Sequence, residues 1–251
     1  MRMDTGRRWL AVGRCIDADP RRAGRDAARQ ACVGTDAALV IVFCSGQADP
    51  AEVLVGIDEI FPGVPLIGCS AQAVIASAGL DGPGVAVTVL GGPGFSVRTG
   101  LASAAGGAQR EAGAAVGGCL GDLTSDAPHR ILMLLTDGAL GDQEEILAGA
   151  YSVVGASVPL IGGTCGPDPA LGHGYQLHGR EVATRSGRCT RSSVGWTRRR
   201  GRTPTRTSTT GSRAAGRSAS GGATARRCAT STWFPGRKGG CAPAVRYPRA
   251  A

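Results

Sequence analysis

Two short segments of the sequence place glycine beside a thiol or hydroxyl side chain directly after an apolar run. Gly68-Cys69-Ser70 follows Val-Pro-Leu-Ile, and Gly162-Gly163-Thr164 follows a second Val-Pro-Leu-Ile. Glycine lets a ligand approach the backbone, and hydroxyl groups with nearby N–H groups can bind a carboxylate. Ligands lie beyond the carboxyl ends of strands in open α/β sheets, so these six residues are candidate ligand contacts. Tight turns with locally bonded hydroxyls are the alternative interpretation.

Asp137, in Thr136-Asp137-Gly138, follows another apolar run, where its carboxylate could bind an amine or a metal. A turn-forming Asp-Gly pair explains the same residues and is the favoured interpretation. Cys69 could also act as a nucleophile with His129 or His178 as its base. Neither histidine belongs to a recognisable catalytic signature, and a buried structural thiol is favoured. We therefore predict a protein that is not an enzyme, with no catalytic residue, no metal and no cofactor.

An internal repeat positions these residues. Val-Pro-Leu-Ile-Gly occurs at residues 64–68 and again at 158–162, and each copy follows an apolar run, a polar loop and a helical pattern. Asp49 with Glu52, and Asp142 with Glu145, are capping boxes that predict the start of a helix in each copy. Each copy therefore predicts a strand, a helix and a strand.

The apolar runs 38–43 and 130–135 are typical of strands covered on both faces, as in a parallel or mixed sheet with helices packed on it. Segments 84–90 and 95–98 flank Gly91-Gly92-Pro93-Gly94, which predicts a turn and an antiparallel pair. The predicted fold class is α/β, with pseudo-duplicated strand-helix-strand layers around a mixed sheet.

The bulk composition favours a cytoplasmic protein. The nine cysteines form no close pair, which is typical of buried thiols in a reducing compartment rather than of disulfides or zinc ligands. No apolar stretch approaches the ~20 residues needed to span a bilayer, and no signal peptide follows Met1. We expect no membrane association.

The composition changes near residue 182. All 19 acidic residues precede that point, whereas residues 183–251 hold 16 of the 28 basic residues and no acid. Hydrophobic periodicity ends there too, which predicts a disordered basic tail. A frame error in GC-rich DNA, a tail that binds nucleic acid, and an inert linker remain three explanations. Because the basic residues are almost all arginine, we favour the frame error, and nucleic acid is not the expected partner.

Taken together, the motifs resemble the FIST N-terminal domain over residues 9–182. Beyond the two glycine segments, the resemblance rests on residues 134–138, on Gly141-Asp142-Gln143-Glu144-Glu145 and on residues 175–182. It implies an intracellular signal-transduction sensor that binds a small molecule, with amino-acid-like ligands proposed. Because no output domain is recognisable in the sequence, we expect a separate output protein. Family members commonly carry an acid shortly after Gly-Cys-Ser and paired aspartates after Gly-Gly. Here Ala71-Gln72-Ala73-Val74-Ile75 has no acid and Asp168 stands alone, and the strands expected after Val182 are missing.

Overall fold

The structure is a computed structural model, and it describes residues 7–75, 83–104, 107–120, 129–139, 141–184 and the backbone of 192–195. The part of the tail between Arg185 and Arg191, and the part that follows Gly195, lie outside the described residues. The predictions of a frame error, a nucleic-acid-binding tail or an inert linker therefore stay predictions, as does the domain boundary at residue 182.

The first half of the chain forms four strands and two helices. In order, these are β1 (Trp9–Cys15), α1 (Pro20–Ala31), β2 (Ala37–Ser45), α2 (Pro50–Asp58), β3 (Leu66–Ser70) and β4 (Gly84–Gly91). Helix α2 begins at the predicted Asp49 cap, and α1 begins in the same way at Asp19. Each carboxylate accepts hydrogen bonds from first-turn N–H groups, and a proline follows each aspartate.

The second half repeats this order and adds a hairpin. It consists of β5 (Arg98–Gly100), α3 (Gln109–Gly117) with a short 3-10 turn (Gly118–Leu120), β6 (Leu132–Asp137), α4 (Gln143–Val154), β7 (Leu160–Cys165), β8 (Tyr175–His178), β9 (Glu181–Thr184) and β10 (Ser192–Gly195). Asp142 caps α4 by accepting from the N–H groups of Glu144 and Glu145.

The strands form two mixed sheets with matching orders. The first sheet runs β1-β4-β2-β3-β8-β9, and the second runs β5-β10-β6-β7. In each sheet the central strand pairs in parallel with the strand that follows it in sequence, β2 with β3 and β6 with β7. The same four-strand order therefore occurs twice, which confirms the predicted α/β class and the duplication. The hairpin β8–β9 extends only the first sheet.

Helix crossings supply a second signature of the duplication. A Cβ atom at Gly24 of α1 would overlap the Val53 carbonyl oxygen of α2, and one at Gly113 of α3 would overlap the Ile146 carbonyl oxygen of α4. The helices within each pair therefore cross in backbone contact, at positions where a side chain would force them apart.

Apolar side chains fill three layers. One cluster lies between the first sheet and α1 and α2, and two smaller clusters lie between the second sheet and α3 and α4. A fourth cluster joins the two sheets through Leu39, Ile67 and Cys69 of the first and Leu135 and Cys165 of the second. The two halves therefore pack sheet against sheet, with helices outside. No helix in the described ranges is long and apolar enough to cross a membrane.

Two sequence expectations differ from the structure. The predicted antiparallel pairing of residues 84–90 with 95–98 is wrong: β4 lies between β1 and β2, whereas β5 pairs with β10 in the other sheet. The glycine-rich turn between them carries the chain from one sheet to the other, because each strand belongs to a different repeat. A strand also occurs beyond Val182, since β10 pairs with both β5 and β6.

Candidate functional site

The candidate ligand contacts lie at the carboxyl ends of three strands. Gly68, Cys69 and Ser70 end β3, and Asp137 ends β6. Gly162, Gly163 and Thr164 are the third, fourth and fifth of the six β7 residues. Strands β6 and β7 are parallel neighbours, with Thr136 opposite Thr164 and Asp137 opposite Cys165.

Ser70 connects the two halves of the molecule. Its side chain is fully buried, and its hydroxyl donates to the Gly166 carbonyl oxygen at 2.6 Å. The same hydroxyl accepts from the Tyr175 backbone N–H at 2.9 Å, and the Gly166 N–H donates to the Ser70 carbonyl oxygen at 3.2 Å. In this structure the Ser70 hydroxyl therefore bonds to backbone of the second repeat, and contact between Ser70 and a ligand stays a prediction.

Cys165 is the point around which several candidate residues meet. Burial, together with the nearby Asp137 carboxylate, raises the pKa of its thiol to about 11, while hydrogen bonds with backbone and with the Ser70 side chain oppose the rise. Burial likewise raises the pKa of Cys69 to about 12, with Cys165 as the second cause. The structure therefore brings Cys69, Ser70 and Asp137 together around a buried thiol that the sequence did not single out.

The geometry is unfavourable for Cys69 as a nucleophile. A thiol with a pKa near 12 is almost entirely protonated at neutral pH, and the thiolate is the reactive form. Strand pairing places Gln176 opposite Cys69 and places His178 opposite Ile67, and burial lowers the pKa of His178. His129 precedes β6, at the end of that strand remote from Asp137.

Asp137 forms the turn that its Asp-Gly sequence predicts. Its carboxylate accepts from the Ala139 N–H at 2.9 Å, and its carbonyl oxygen accepts from the Gln143 side-chain amide at 2.9 Å. The second bond ties the end of β6 to the first turn of α4. Asp137 is 8% exposed, so its carboxylate lies just below the surface at the end of the sheet.

The β7 residues differ from their β3 counterparts in exposure. Gly162, Gly163 and Thr164 are all exposed, whereas Gly68, Cys69 and Ser70 are all buried. A Cβ atom at Gly163 would meet nothing within 4 Å, so the space beside this glycine is open. Gly138 lies next to Thr164, since a Cβ atom at Gly138 would come within 3.3 Å of the Thr164 Cβ. The accessible candidate contacts are therefore Gly163 and Thr164, on the strand that pairs with β6.

Asp168 has a structural role at this junction. Its fully buried carboxylate accepts from the backbone N–H of Gly46 at 3.0 Å, from that of Ala170 at 2.8 Å and from the Tyr175 hydroxyl at 3.3 Å. These bonds link the second repeat to the end of β2. The Pro167-Asp168-Pro169 segment contains no motif from which this structural role of Asp168 could be predicted.

Gln176 is a second residue that sequence reasoning missed. It is 2% exposed, and its side-chain amide donates to the Leu135 carbonyl oxygen at 3.2 Å, from the first sheet to the second. Its Oε1 atom is buried and has no hydrogen-bond partner among the described residues.

Among the described residues, no group of three histidine, cysteine or acidic side chains is arranged to hold a metal ion.

The fold and the position of the site define a two-repeat α/β domain with its candidate contacts at strand ends. The FIST N domain family model matches residues 38–189, which is more than half of the chain. The protein therefore belongs to the FIST N domain family, a family of sensory domains in signal transduction. The match ends within the segment that the composition assigns to the tail.

The other comparisons add little. No curated protein matches the chain significantly. A crystal structure of cyanuric acid hydrolase from A. caulinodans is similar over 76% of this chain and 72% of its own, with 12% identity and a TM-score of 0.37. A second structure, described as cyanuric acid hydrolase and evolutionary innovation by structural concatenation, is similar over 79% and 71%, with 14% identity and a TM-score of 0.37. At these identities and TM-scores, the two similarities support no conclusion about the function of this chain.

Proposed function

We propose that the protein is a cytoplasmic, non-enzymatic sensory module that binds a small polar metabolite, such as an amino acid, at the carboxyl ends of β6 and β7. The observation that carries the proposal is the exposed Gly163-Thr164 pair on β7, the strand that pairs with β6, whose last residue is Asp137. A ligand amine would interact with Asp137, and a ligand carboxylate would accept from the Thr164 hydroxyl and nearby N–H groups.

The position of the site suits a sensor that joins two repeats. Gly166, two residues beyond Thr164, bonds to Ser70 of the first repeat in both directions. A ligand that displaced the end of β7 would act on these bonds and on the buried Asp168 network that follows them. Binding energy could thereby change the packing of the two halves, which an output protein would detect.

The absence of catalysis is part of the proposal. A buried thiol whose pKa is raised to about 12 is a poor nucleophile at neutral pH, and its strand partner is the amide Gln176. Native-state alkylation tests this point: Cys69 should resist iodoacetamide at pH 7.5 and react after denaturation. Rapid labelling of Cys69 in the folded protein would favour a thiol hydrolase instead.

Thermal stabilisation by a panel of amino acids tests the ligand site. A ligand present at one hundred times its Kd raises the free energy of unfolding by about 2.7 kcal/mol. We expect saturable stabilisation in the wild type, a large loss in Thr164→Val, and no loss in Thr35→Val. Thr35 is another exposed threonine, before β2 and at the opposite end of its sheet from the ends of the parallel strands β2 and β3.

The variants separate the site assignment from the sensory role. Stabilisation that survives unchanged in both Thr164→Val and Asp137→Asn would show that the ligand binds elsewhere. A wild type that no amino acid stabilises, at concentrations up to the millimolar range, would contradict the proposed ligand class.

A further inference from the structure

The side chain of Gln176 leaves one buried polar atom without a partner. Its Nε2 atom donates to the Leu135 carbonyl oxygen at 3.2 Å, whereas its buried Oε1 atom has no hydrogen-bond partner in the described part of the chain. Exchanging the two amide atoms does not remove the problem, because Oε1 would then face the Leu135 carbonyl oxygen, which is also an acceptor. A buried acceptor without a donor lowers stability, so this atom is suited to accept from a group that is not among the described residues.

Strand pairing places the Gln176 amide close to the candidate ligand contacts. Gln176 of β8 lies opposite Cys69 of β3 in the first sheet. Leu135, whose carbonyl oxygen it binds, lies opposite Gly163 of β7 in the second sheet. Cys69, Leu135 and Cys165 belong to the apolar cluster that joins the two sheets. The Gln176 amide therefore lies between the sheets, at the level of Gly163.

Asp137 faces the same space from the second sheet. It follows Leu135 by two residues on β6, and side chains two residues apart on a strand point to the same face, about 6.7 Å from each other. Its strand partner is Cys165, and its carboxylate is one of the groups that raise the pKa of the Cys165 thiol. Since Leu135 and Cys165 both face the first sheet, the Asp137 carboxylate does so too. We call Asp137, Cys69, Cys165 and Gln176 the inter-sheet site.

Gly163 leaves room beside the inter-sheet site. It lies two residues before Cys165 on β7 and therefore faces the first sheet as Cys165 does. Gly163 is exposed, and a Cβ atom there would meet nothing within 4 Å. The place where a β7 side chain would lie, at the level of the Gln176 amide, is thus available to a small group that enters from solvent.

A primary ammonium group fits the chemistry of this site. It carries one positive charge and three N–H donors, whereas the site offers an amide oxygen from one sheet and a carboxylate from the other. The hydrogen bond to the carboxylate is charge-assisted, which makes it stronger than a bond between neutral groups. An anionic group would instead face two acceptors and a like charge.

We propose that Gln176 is a ligand-binding residue, whose Oε1 atom accepts a hydrogen bond from a primary ammonium group that the Asp137 carboxylate also binds. This inference rests on the proposed function and names the chemical group that the site selects. It restricts the ligands to primary amines such as amino acids. Hydroxy acids and quaternary ammonium ions are excluded, because neither carries an ammonium N–H donor.

Nuclear magnetic resonance of the full chain with isotopically labelled glutamine tests the proposal. The probe is methylammonium chloride, and the control salt is tetramethylammonium chloride, which has the same charge and no N–H donor. We expect methylammonium to shift the Gln176 side-chain signal saturably and tetramethylammonium to leave it unchanged. The spectrum of Gln176→Leu assigns that signal.

Gln47 provides a matched control in the same spectrum. It is 4% exposed and also has a buried Oε1 atom without a partner among the described residues, but it follows β2 in the first repeat. Its signal should move with neither salt. A Gln176 signal that methylammonium does not shift at concentrations up to about 100 mM would overturn the proposal. An equal shift with tetramethylammonium or potassium chloride would overturn it too, because the site would then respond to charge alone.

Two variants test the other parts of the site. Asp137→Asn removes the charge, and Gly163→Val fills the space beside the site, so each should raise the Kd for methylammonium at least about tenfold. Thr35→Val, in the first repeat, should leave this Kd unchanged. An unchanged Kd in Asp137→Asn would contradict the proposal. The thermal midpoint and the Gln47 signal establish that each variant folds, and the comparison of the two salts on the wild type needs no variant.

The same spectra separate this inference from the proposed function. An amino acid that stabilises the wild type should shift the Gln176 signal, and its hydroxy-acid analogue should not. If the amino acid stabilises the protein without shifting that signal, Gln176 is not a contact and this inference alone is wrong. If methylammonium shifts the signal while no amino acid stabilises the protein, the ammonium site is supported and the proposed ligand class is wrong.

Discussion

The close crossing of α3 and α4 leads to a specific prediction about a single methyl group. In Gly113→Ala, the new Cβ would overlap the Ile146 carbonyl oxygen, lie 2.9 Å from the carbonyl carbon and lie 3.1 Å from the Ala150 nitrogen. All three atoms are backbone, so no flexible side chain can move aside. The two helices would have to separate locally by about 1 Å, which loosens their packed interface.

The magnitude follows from two opposing effects. Overpacking a close-packed contact costs about 1–3 kcal/mol. Replacing glycine by alanine in a helix contributes about 0.5–1 kcal/mol in the opposite direction. Because the obstruction is backbone, we expect the upper part of the cost and a net destabilisation of about 1–2 kcal/mol. At about 2–4 °C per kcal/mol for a chain of this size, the thermal midpoint should fall by about 2–8 °C.

Gly118→Ala is the matched control at the end of the same helix. Gly118 has a helical φ of −59°, and a Cβ atom there would meet nothing within 4 Å. This variant should be as stable as the wild type or slightly more stable. Urea unfolding of both variants, followed by circular dichroism, measures the difference. If Gly113→Ala proves as stable as Gly118→Ala, the backbone contact between α3 and α4 is not close enough to exclude a methyl group.

Three further perturbations test the strand ends and the buried groups. Gly162→Ala should destabilise the protein by about 2 kcal/mol or more, because Gly162 has a φ of 144° and a Cβ atom there would overlap the backbone of β6. Gly163→Ala should be tolerated, since a Cβ atom there meets nothing within 4 Å. Equal urea midpoints for the two variants would contradict this prediction. Asp168→Ala should cost about 1–3 kcal/mol in urea unfolding, since three donors lose their acceptor and one of them is the buried Tyr175 hydroxyl. A loss below about 1 kcal/mol would argue against the network. Burial raises the pKa of the Cys44 and Cys69 thiols from 9.0 to about 12 in the folded protein. The free energy of unfolding should therefore fall as pH rises from about 9 to 12, because over this range the thiols of the unfolded chain lose their protons and those of the folded protein keep them. A free energy of unfolding that stays constant between pH 8 and 10 would refute this reasoning.

Local signals in the sequence predicted most of the fold. Aspartate caps, apolar periodicity and the repeated pentapeptide each act within a few residues, and the helices and parallel strand pairs follow them. Pairing between distant strands has no such local signal. Strand β4 follows β3 in sequence but lies between β1 and β2, and β5 pairs with a strand almost one hundred residues later. The glycine-rich turn between β4 and β5 predicted a reversal of the chain but not a change of sheet.

The candidate site was predictable in position and not in detail. The glycine-hydroxyl motifs correctly indicated the ends of β3 and β7, because repeated sequence implies repeated position. The two copies look equivalent in sequence, yet Ser70 is fully buried while Thr164 is exposed. This difference arises from the hairpin β8–β9, which covers one copy only. No motif within either pentapeptide encodes it.

The two equivalent strand ends of the duplicated fold differ in their contacts. At the first, the Ser70 hydroxyl bonds to Gly166 and Tyr175 and fixes the second repeat to the first. At the second, Thr164 has the same place in the repeat but remains open to solvent. In the proposed function the first copy stabilises the molecule and the second copy binds the ligand, because Thr164 does not form the bonds that Ser70 forms between the halves. Substitution at Ser70 should therefore lower stability with or without ligand, whereas substitution at Thr164 should alter only what binds there.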